Sequence, residues 1–300
     1  MNFISGQLTR NIETAGHAGF CYGVKRAVET TKKIKKENPD KEVFVLGELI
    51  HNSSVIKELE ELGIKTVETL PLSAPKGAIC IIRSHGEGID TIEKIKNSGY
   101  EVVDLTCLDV KKVQDTAVNL AGEGYFLLIL GKAEHPEVMA IKSNAKKYSK
   151  DINSPLVIKS LEDLISKSDL IKNKNKIGVV IQTTQRIDFL KSVVDYLIDK
   201  TKELKIINTI CNSTALRQNE AKELAKRSDL MIVAGSKKSA NTTHLYEILK
   251  EITPTLHIES DIELDNYKNL IQTSKNIGIT AGASTPDYII KQIEDKLKTI

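Results

Sequence analysis

Four cysteines stand in this sequence, and three of them share a setting. Cys21, Cys107 and Cys211 each close a short extended or turn segment and open a helical pattern: GHAGFC before YGVKRAVETTKKIKK, EVVDLTC before LDVKKVQDTAVNLAGEG, KIINTIC before NSTALRQNEAKELAKRS. Cys80 lies inside the apolar run AICIIR and reads as core. A helix N-terminus carries about half a positive charge and favours an anion such as thiolate, the form that binds metal. Three thiols suit an iron–sulfur cluster better than zinc, because a structural zinc site wants a fourth protein ligand and C-x-x-C-like spacing, which this chain lacks. A 4Fe–4S cube normally takes four cysteines, so three leave one iron open.

The elements around these cysteines repeat. After each helical pattern comes an apolar strand that ends in glycine and then a polar loop: VFVLGELIHN, FLLILGKAEHPE and LMIVAGSKKSAN. His51 lies 30 residues after Cys21, His135 lies 28 after Cys107, and Ser239 lies 28 after Cys211. A further strand in each unit runs into a second polar loop, ICIIRSHGEG with His85, GVVIQTTQR with Thr183 and IGITAGASTPD with Ser284. Strand-length apolar runs that alternate with Lys/Glu-rich helices predict an α/β fold with mostly parallel sheets. The triplication predicts three similar lobes in a pseudo-threefold trefoil. The expected boundaries are 22–106, 107–210 and 211–300, with 1–21 joining the third lobe. Ligands of parallel sheets bind beyond the carboxyl ends of the strands, so the three thiols and six loops are expected to meet at a central site.

The rest of the chain narrows the classes. Forty-three Lys and Arg against 40 Asp and Glu give a formal charge of +3, which is not the field of a nucleic-acid binder. No apolar run approaches the roughly 20 residues of a membrane span, and the polar start MNFISGQLTRN is unlike a signal peptide. These features predict a cytoplasmic protein with no membrane or nucleic-acid partner. On the residues alone, three readings stand: an enzyme with a three-thiol cluster, a non-enzymatic iron–sulfur or zinc protein such as a redox sensor that uses the same thiols, and a metal-free transferase or binding protein that holds a phosphate ligand at helix N-termini and whose cysteines are core.

The motifs GFCYGVKRAVE, GELIHN, IRSHGEG, LTCLDVKKV, EHPEV, QTTQR, ICNSTALRQ, GSKKSAN and TAGASTPD, in that order, resemble those of the 4-hydroxy-3-methylbut-2-enyl diphosphate reductases. These are the last enzymes of the non-mevalonate isoprenoid pathway. The resemblance implies a 4Fe–4S cluster with one open iron, held by Cys21, Cys107 and Cys211, and an electron donor of the ferredoxin or flavodoxin type. It implies reductive dehydroxylation of an allylic diphosphate to isopentenyl and dimethylallyl diphosphate. By the same resemblance Glu137 is the proton source, with Thr183 beside the substrate hydroxyl, and His135 is counted with them among the catalytic residues. His51, His85, His135, Ser239, Asn241 and Ser284 hold the diphosphate, and Thr214 lies near it. Two positions depart from the family pattern: Ala240 stands where a second serine is common, and Glu134 where glycine is usual.

Overall fold

The structure, a computed structural model, describes residues 10–300. It holds three four-stranded sheets in which every strand pair is parallel. The chain divides into two compact units, one of residues 10–21, 51–53 and 212–300, the other of residues 22–50 and 54–211.

The larger unit carries two sheets. Its first stretch contains α1 (Tyr22–Glu37), β2 (Val43–Leu46), α2 (Ser53–Glu61), β3 (Ile64–Val67), β4 (Ile79–Ile82), α3 (Ile89–Asn97) and β5 (Glu101–Asp104). The second contains α4 (Leu108–Gly122), β6 (Phe126–Leu130), α5 (Pro136–Lys146), β7 (Leu156–Ile158), α6 (Leu161–Ser166), α7 (Ser168–Ile171), β8 (Lys176–Ile181), α8 (Ile187–Leu197) and β9 (Glu203–Ile206). The smaller unit carries β1 (Asn11–Thr14), α9 (Asn212–Ala225), β10 (Leu230–Ala234), α10 (Ala240–Leu249), β11 (Thr255–Ile258), a 3-10 turn at Asp261–Tyr267, α11 (Lys268–Thr273), β12 (Asn276–Ala281) and α12 (Asp287–Thr299).

Strand order is the same in all three sheets: β5-β4-β2-β3, β9-β8-β6-β7 and β1-β12-β10-β11. The α/β reading with three similar parallel lobes therefore describes the molecule. The central strands are the apolar runs of the sequence, and FLLIL and LMIVA are buried at every position, as expected where helices cover both faces. The edge strands β3, β7 and β11 have three or four residues and weaker patterns, and the sequence did not announce them. Helix faces follow the 3.6-residue period, as in α4, where Val110, Val113, Ala117, Leu120 and Ala121 are buried.

The repeat extends to single hydrogen bonds. The glycine after β2, β6 or β10 donates to the neighbouring edge strand in each sheet, Gly47 to Val67 at 2.8 Å, Gly131 to Ile158 at 2.8 Å and Gly235 to Ile258 at 2.9 Å. His51, His135 and Ser239 each follow that glycine by four residues, so the first set of polar loops is equivalent in structure. In the second set, counting from the ends of β4, β8 and β12 aligns Ser84 with Thr183 and Ala283, and His85 with Thr184 and Ser284. Thr183 thus stands one place earlier than the grouping with His85 and Ser284 assumed, because that grouping followed side-chain type and not strand ends.

Cys80 sits on β4 with no exposure, and burial pushes its thiol up to about 11. A hydroxyl there would lose its water without gaining a partner. Cys80→Ser is expected to lower stability by about 1–3 kcal/mol in urea unfolding while leaving iron content unchanged.

Candidate functional site

The three other cysteines form no disulfide and are partly exposed. Each precedes the first turn of its helix, α1, α4 or α9. Their backbone N–H groups are bound alike: Cys21 donates to Ala283 O at 3.4 Å, Cys107 to Ser84 O at 2.9 Å and Cys211 to Thr183 O at 3.0 Å. The acceptors are the three equivalent residues just beyond β4, β8 and β12.

In the larger unit, Thr183 links a cysteine to a buried acid. Its carbonyl accepts from Cys211, while its N–H donates to Glu137 Oε1 at 2.7 Å and its hydroxyl to Glu137 Oε2 at 2.8 Å. Glu137 lies in the first turn of α5, behind Pro136, and is 1% exposed. Burial pushes its carboxyl up to about 7, against the downward pull of the Thr183 N–H and hydroxyl. A carboxyl in that range holds and releases a proton near neutrality, as a general acid must. When protonated, Oε2 becomes the donor and the Thr183 hydroxyl can pass a proton outward.

His135 caps the same helix, and its Nδ1 accepts from the Glu137 N–H at 3.2 Å. That bond fixes the proton of a neutral ring on Nε2, which then serves as a donor. The His85 ring stands edge-on to it, with centroids 5.4 Å apart. Ser84, next to His85, ties its loop to the one that follows Gly47: its N–H and hydroxyl both donate to Leu49 O, at 3.4 and 3.0 Å.

In the smaller unit the site residues form a second group. Thr214 donates to Asn241 Oδ1 at 3.5 Å, which leaves the buried Asn241 Nδ2 without a protein acceptor. Ser239 is the N-cap of α10, with Thr242 N–H donating to its hydroxyl at 3.4 Å, so one of its lone pairs is used structurally. The Ser284 hydroxyl donates to His51 O at 3.2 Å, and Asn52 Nδ2 donates to Ser284 O at 2.9 Å. Asn52, 5% exposed, was missed by sequence reasoning, although it directly follows a singled-out histidine. Gly282 admits Thr242 to this loop, since a Cβ there would come within 1.9 Å of the threonine hydroxyl. Ala240 lies buried behind the α10 cap, and Glu134 is exposed beside His135.

Residues 12–298 match the LytB protein family. The chain belongs to this family. It is 42% identical over 288 residues to the 4-hydroxy-3-methylbut-2-enyl diphosphate reductase of Clostridium tetani, an alignment covering 94% of this chain and 42% of that protein. The chain thus spans less than half of the length of that relative. To the Aquifex aeolicus protein of the same name it is 40% identical over 292 residues, covering 97% and 96% of the two chains. A solved structure of (E)-4-hydroxy-3-methyl-but-2-enyl diphosphate reductase, described as the terminal enzyme of the non-mevalonate pathway, matches with a TM-score of 0.70 and 38% identity, over 97% of this chain and 100% of that one. The E-1-hydroxy-2-methyl-but-2-enyl-4-diphosphate reductase of Plasmodium falciparum matches with a TM-score of 0.85 and 26% identity, over 96% and 87%. Among the described residues, no helix of this LytB chain is long and apolar enough to cross a membrane.

Because the Glu137 carboxyl is raised from 4.5 to about 7, the folded chain keeps a proton that the unfolded chain releases. Its contribution to stability is full below pH 4.5 and is lost as pH rises through about 7, roughly 3 kcal/mol at most. Glu137→Gln is expected to flatten this fall in denaturant titrations run across that window. An unchanged slope would show that another group carries it.

Proposed function

We propose that this chain carries out the reaction its relatives are named for, reducing 4-hydroxy-3-methylbut-2-enyl diphosphate to isopentenyl and dimethylallyl diphosphate. The allylic C–O bond breaks, the hydroxyl leaves as water, and the hydrocarbon fragment takes up two electrons and a proton. Two protons are consumed in all. The observation that carries the reading is the buried Glu137 carboxyl, raised to about 7 and bonded by both donors of Thr183, in a chain of this family.

LytB proteins are iron–sulfur enzymes, and the donor set of this chain fits such a group. Three partly exposed cysteines with equivalent backbone bonding stand apart from the one buried in a sheet. Cys21, Cys107 and Cys211 would hold a 4Fe–4S cluster, which when bound supplies electrons and, at the iron without a protein ligand, Lewis acidity. A small redox protein of the ferredoxin or flavodoxin class would deliver the electrons. The three lobes are 22–106, 107–210 and 211–300 with 1–21, and Cys21, Cys107 and Cys211 would each stand at the point where the chain enters one of them.

The remaining roles belong to side chains. Glu137 holds a proton on Oε2 and passes it through the Thr183 hydroxyl to the leaving oxygen, which turns a poor leaving group into water. His135 offers Nε2–H to the diphosphate, as its Nδ1 is taken by the helix. His51, His85, Ser239 and Ser284 add donors. Thr214 holds the Asn241 carbonyl, so that Nδ2 points its protons at phosphate oxygen. Neutral donors with a few imidazoles bind an anion without a strongly basic surface, in keeping with the net charge of +3.

Anaerobic turnover with the allylic diphosphate and an artificial reductant, followed by product identification, tests the reading. Iron-loaded protein is expected to release both isoprenoid products, and Cys21→Ser, Cys107→Ser and Cys211→Ser each to lose iron and activity. An iron-free preparation with full activity would overturn it. Asn241→Ala is expected to raise KM about tenfold, the loss of one hydrogen bond to a charged group, with less effect on kcat.

A further inference from the structure

The cysteine N–H bonds continue the sheet ladders, but not equally. From Leu105, bound to Ile82, to Cys107, bound to Ser84, both strands advance two residues. From Ile207, bound to Val179, to Cys211, bound to Thr183, both advance four. From Ala15, bound to Ile279, to Cys21, bound to Ala283, the cysteine side advances six residues and the other side four. Two extra residues leave the ladder in the loop GHAGF, so the sheet alone does not fix Cys21.

That loop is gripped by two side chains of α9. Arg217 is 2% exposed; its Nε donates to His17 O at 2.9 Å and its Nη2 to Gly19 O at 2.8 Å. One turn on, Glu220 Oε1 accepts from the Gly16 N–H at 2.7 Å, and Oε2 from the His17 N–H at 2.8 Å. Oε2 also bonds His17 Nδ1 at 2.8 Å. Burial pushes the Glu220 carboxyl up, and the donors from His17 and Gly16 outweigh it and hold it below its ordinary range. Gly19 has φ +89°, a backbone open to glycine, and a Cβ there would also crowd Ile290, Asp287 and Thr285. A buried guanidinium costs several kcal/mol unless its donors are matched, and here they are spent on backbone carbonyls that no strand satisfies.

We infer that Arg217 and Glu220 are positioning residues for Cys21: they hold the loop that has left the ladder, so that its thiolate meets the metal without rearrangement. The inference rests on the assignment of Cys21 as a cluster ligand. The Cys107 segment, still on its ladder, is held in addition by Arg26, whose Nη2 donates to Thr106 O at 2.7 Å and Leu105 O at 3.3 Å.

The test uses anaerobically prepared, iron-loaded protein and follows cluster loss to a ferrous chelator by absorbance near 400 nm, a region where iron–thiolate clusters absorb. Thermal unfolding is recorded in parallel. Arg217→Met and Glu220→Gln are expected to lose the cluster about tenfold faster or more, the usual scale for groups that orient a metal ligand, and Arg217→Lys to fall between. Arg10→Met is the control for stability alone, since Arg10 Nη1 donates to the Leu297 carbonyl at 2.8 Å, away from any cysteine loop. Unchanged loss rates in Arg217→Met and Glu220→Gln, or an equal acceleration in Arg10→Met, would overturn the inference. If Arg217→Met does not fold, Glu220→Gln decides. Parental protein that takes up no iron would sink the reductase reading together with this one; iron-replete parental protein with unaffected variants would sink this one alone.

Discussion

One hydrogen bond, made three times, joins the scaffold to the chemistry: the cysteine N–H bound to a carbonyl just past the neighbouring strand. A backbone donor at the end of a parallel sheet needs an acceptor, and the next rung of the ladder provides it. The register set by buried Val, Ile and Leu side chains therefore reaches Cys107 and Cys211 along the ladder itself, with Arg26 as an added tie on the Cys107 segment. Through Thr183 it also reaches Glu137, because the residue whose carbonyl takes the Cys211 N–H directs its own N–H and hydroxyl to the acid. A shift of this strand by one residue would displace a proposed ligand and the proposed proton donor together.

The electrostatics are economical. Glu137 is buried without a cation, so desolvation alone keeps its proton available, and the Thr183 bonds stop the carboxyl from rising too far to release it. The donors around the smaller unit's loops are a hydroxyl, an amide and backbone groups. Two side chains are placed by a neighbour that occupies their other polar atom, Asn241 by Thr214 in the smaller unit and His135 by the Glu137 N–H in the larger one.

Much of this was legible in the residues. The central strands are apolar at consecutive positions and each cysteine opens a helix, so the lobes and the triplication could be read directly. The edge strands β3, β7 and β11 could not, because three or four residues with one covered face carry little pattern. Nor could Arg217 and Glu220. On α9 the buried face begins with Thr214, Arg217 and Gln218, and a charged residue in a helix reads as solvent-facing until its carbonyl partners, some 200 residues away in the chain, are seen. The one-residue misalignment of Thr183 has a similar origin, since side-chain chemistry marked the loop while the hydrogen bonds count from the strand.

The first described strand, β1, completes a sheet whose other members, β10, β11 and β12, lie more than 200 residues further along the sequence, with Asn11 beside Asn276. While the chain emerges from the ribosome, the Cys21 N–H has no native acceptor until Ala283, far along the sequence, has been made. Placement of Cys21, a proposed cluster ligand, is thereby deferred until β12 has been made.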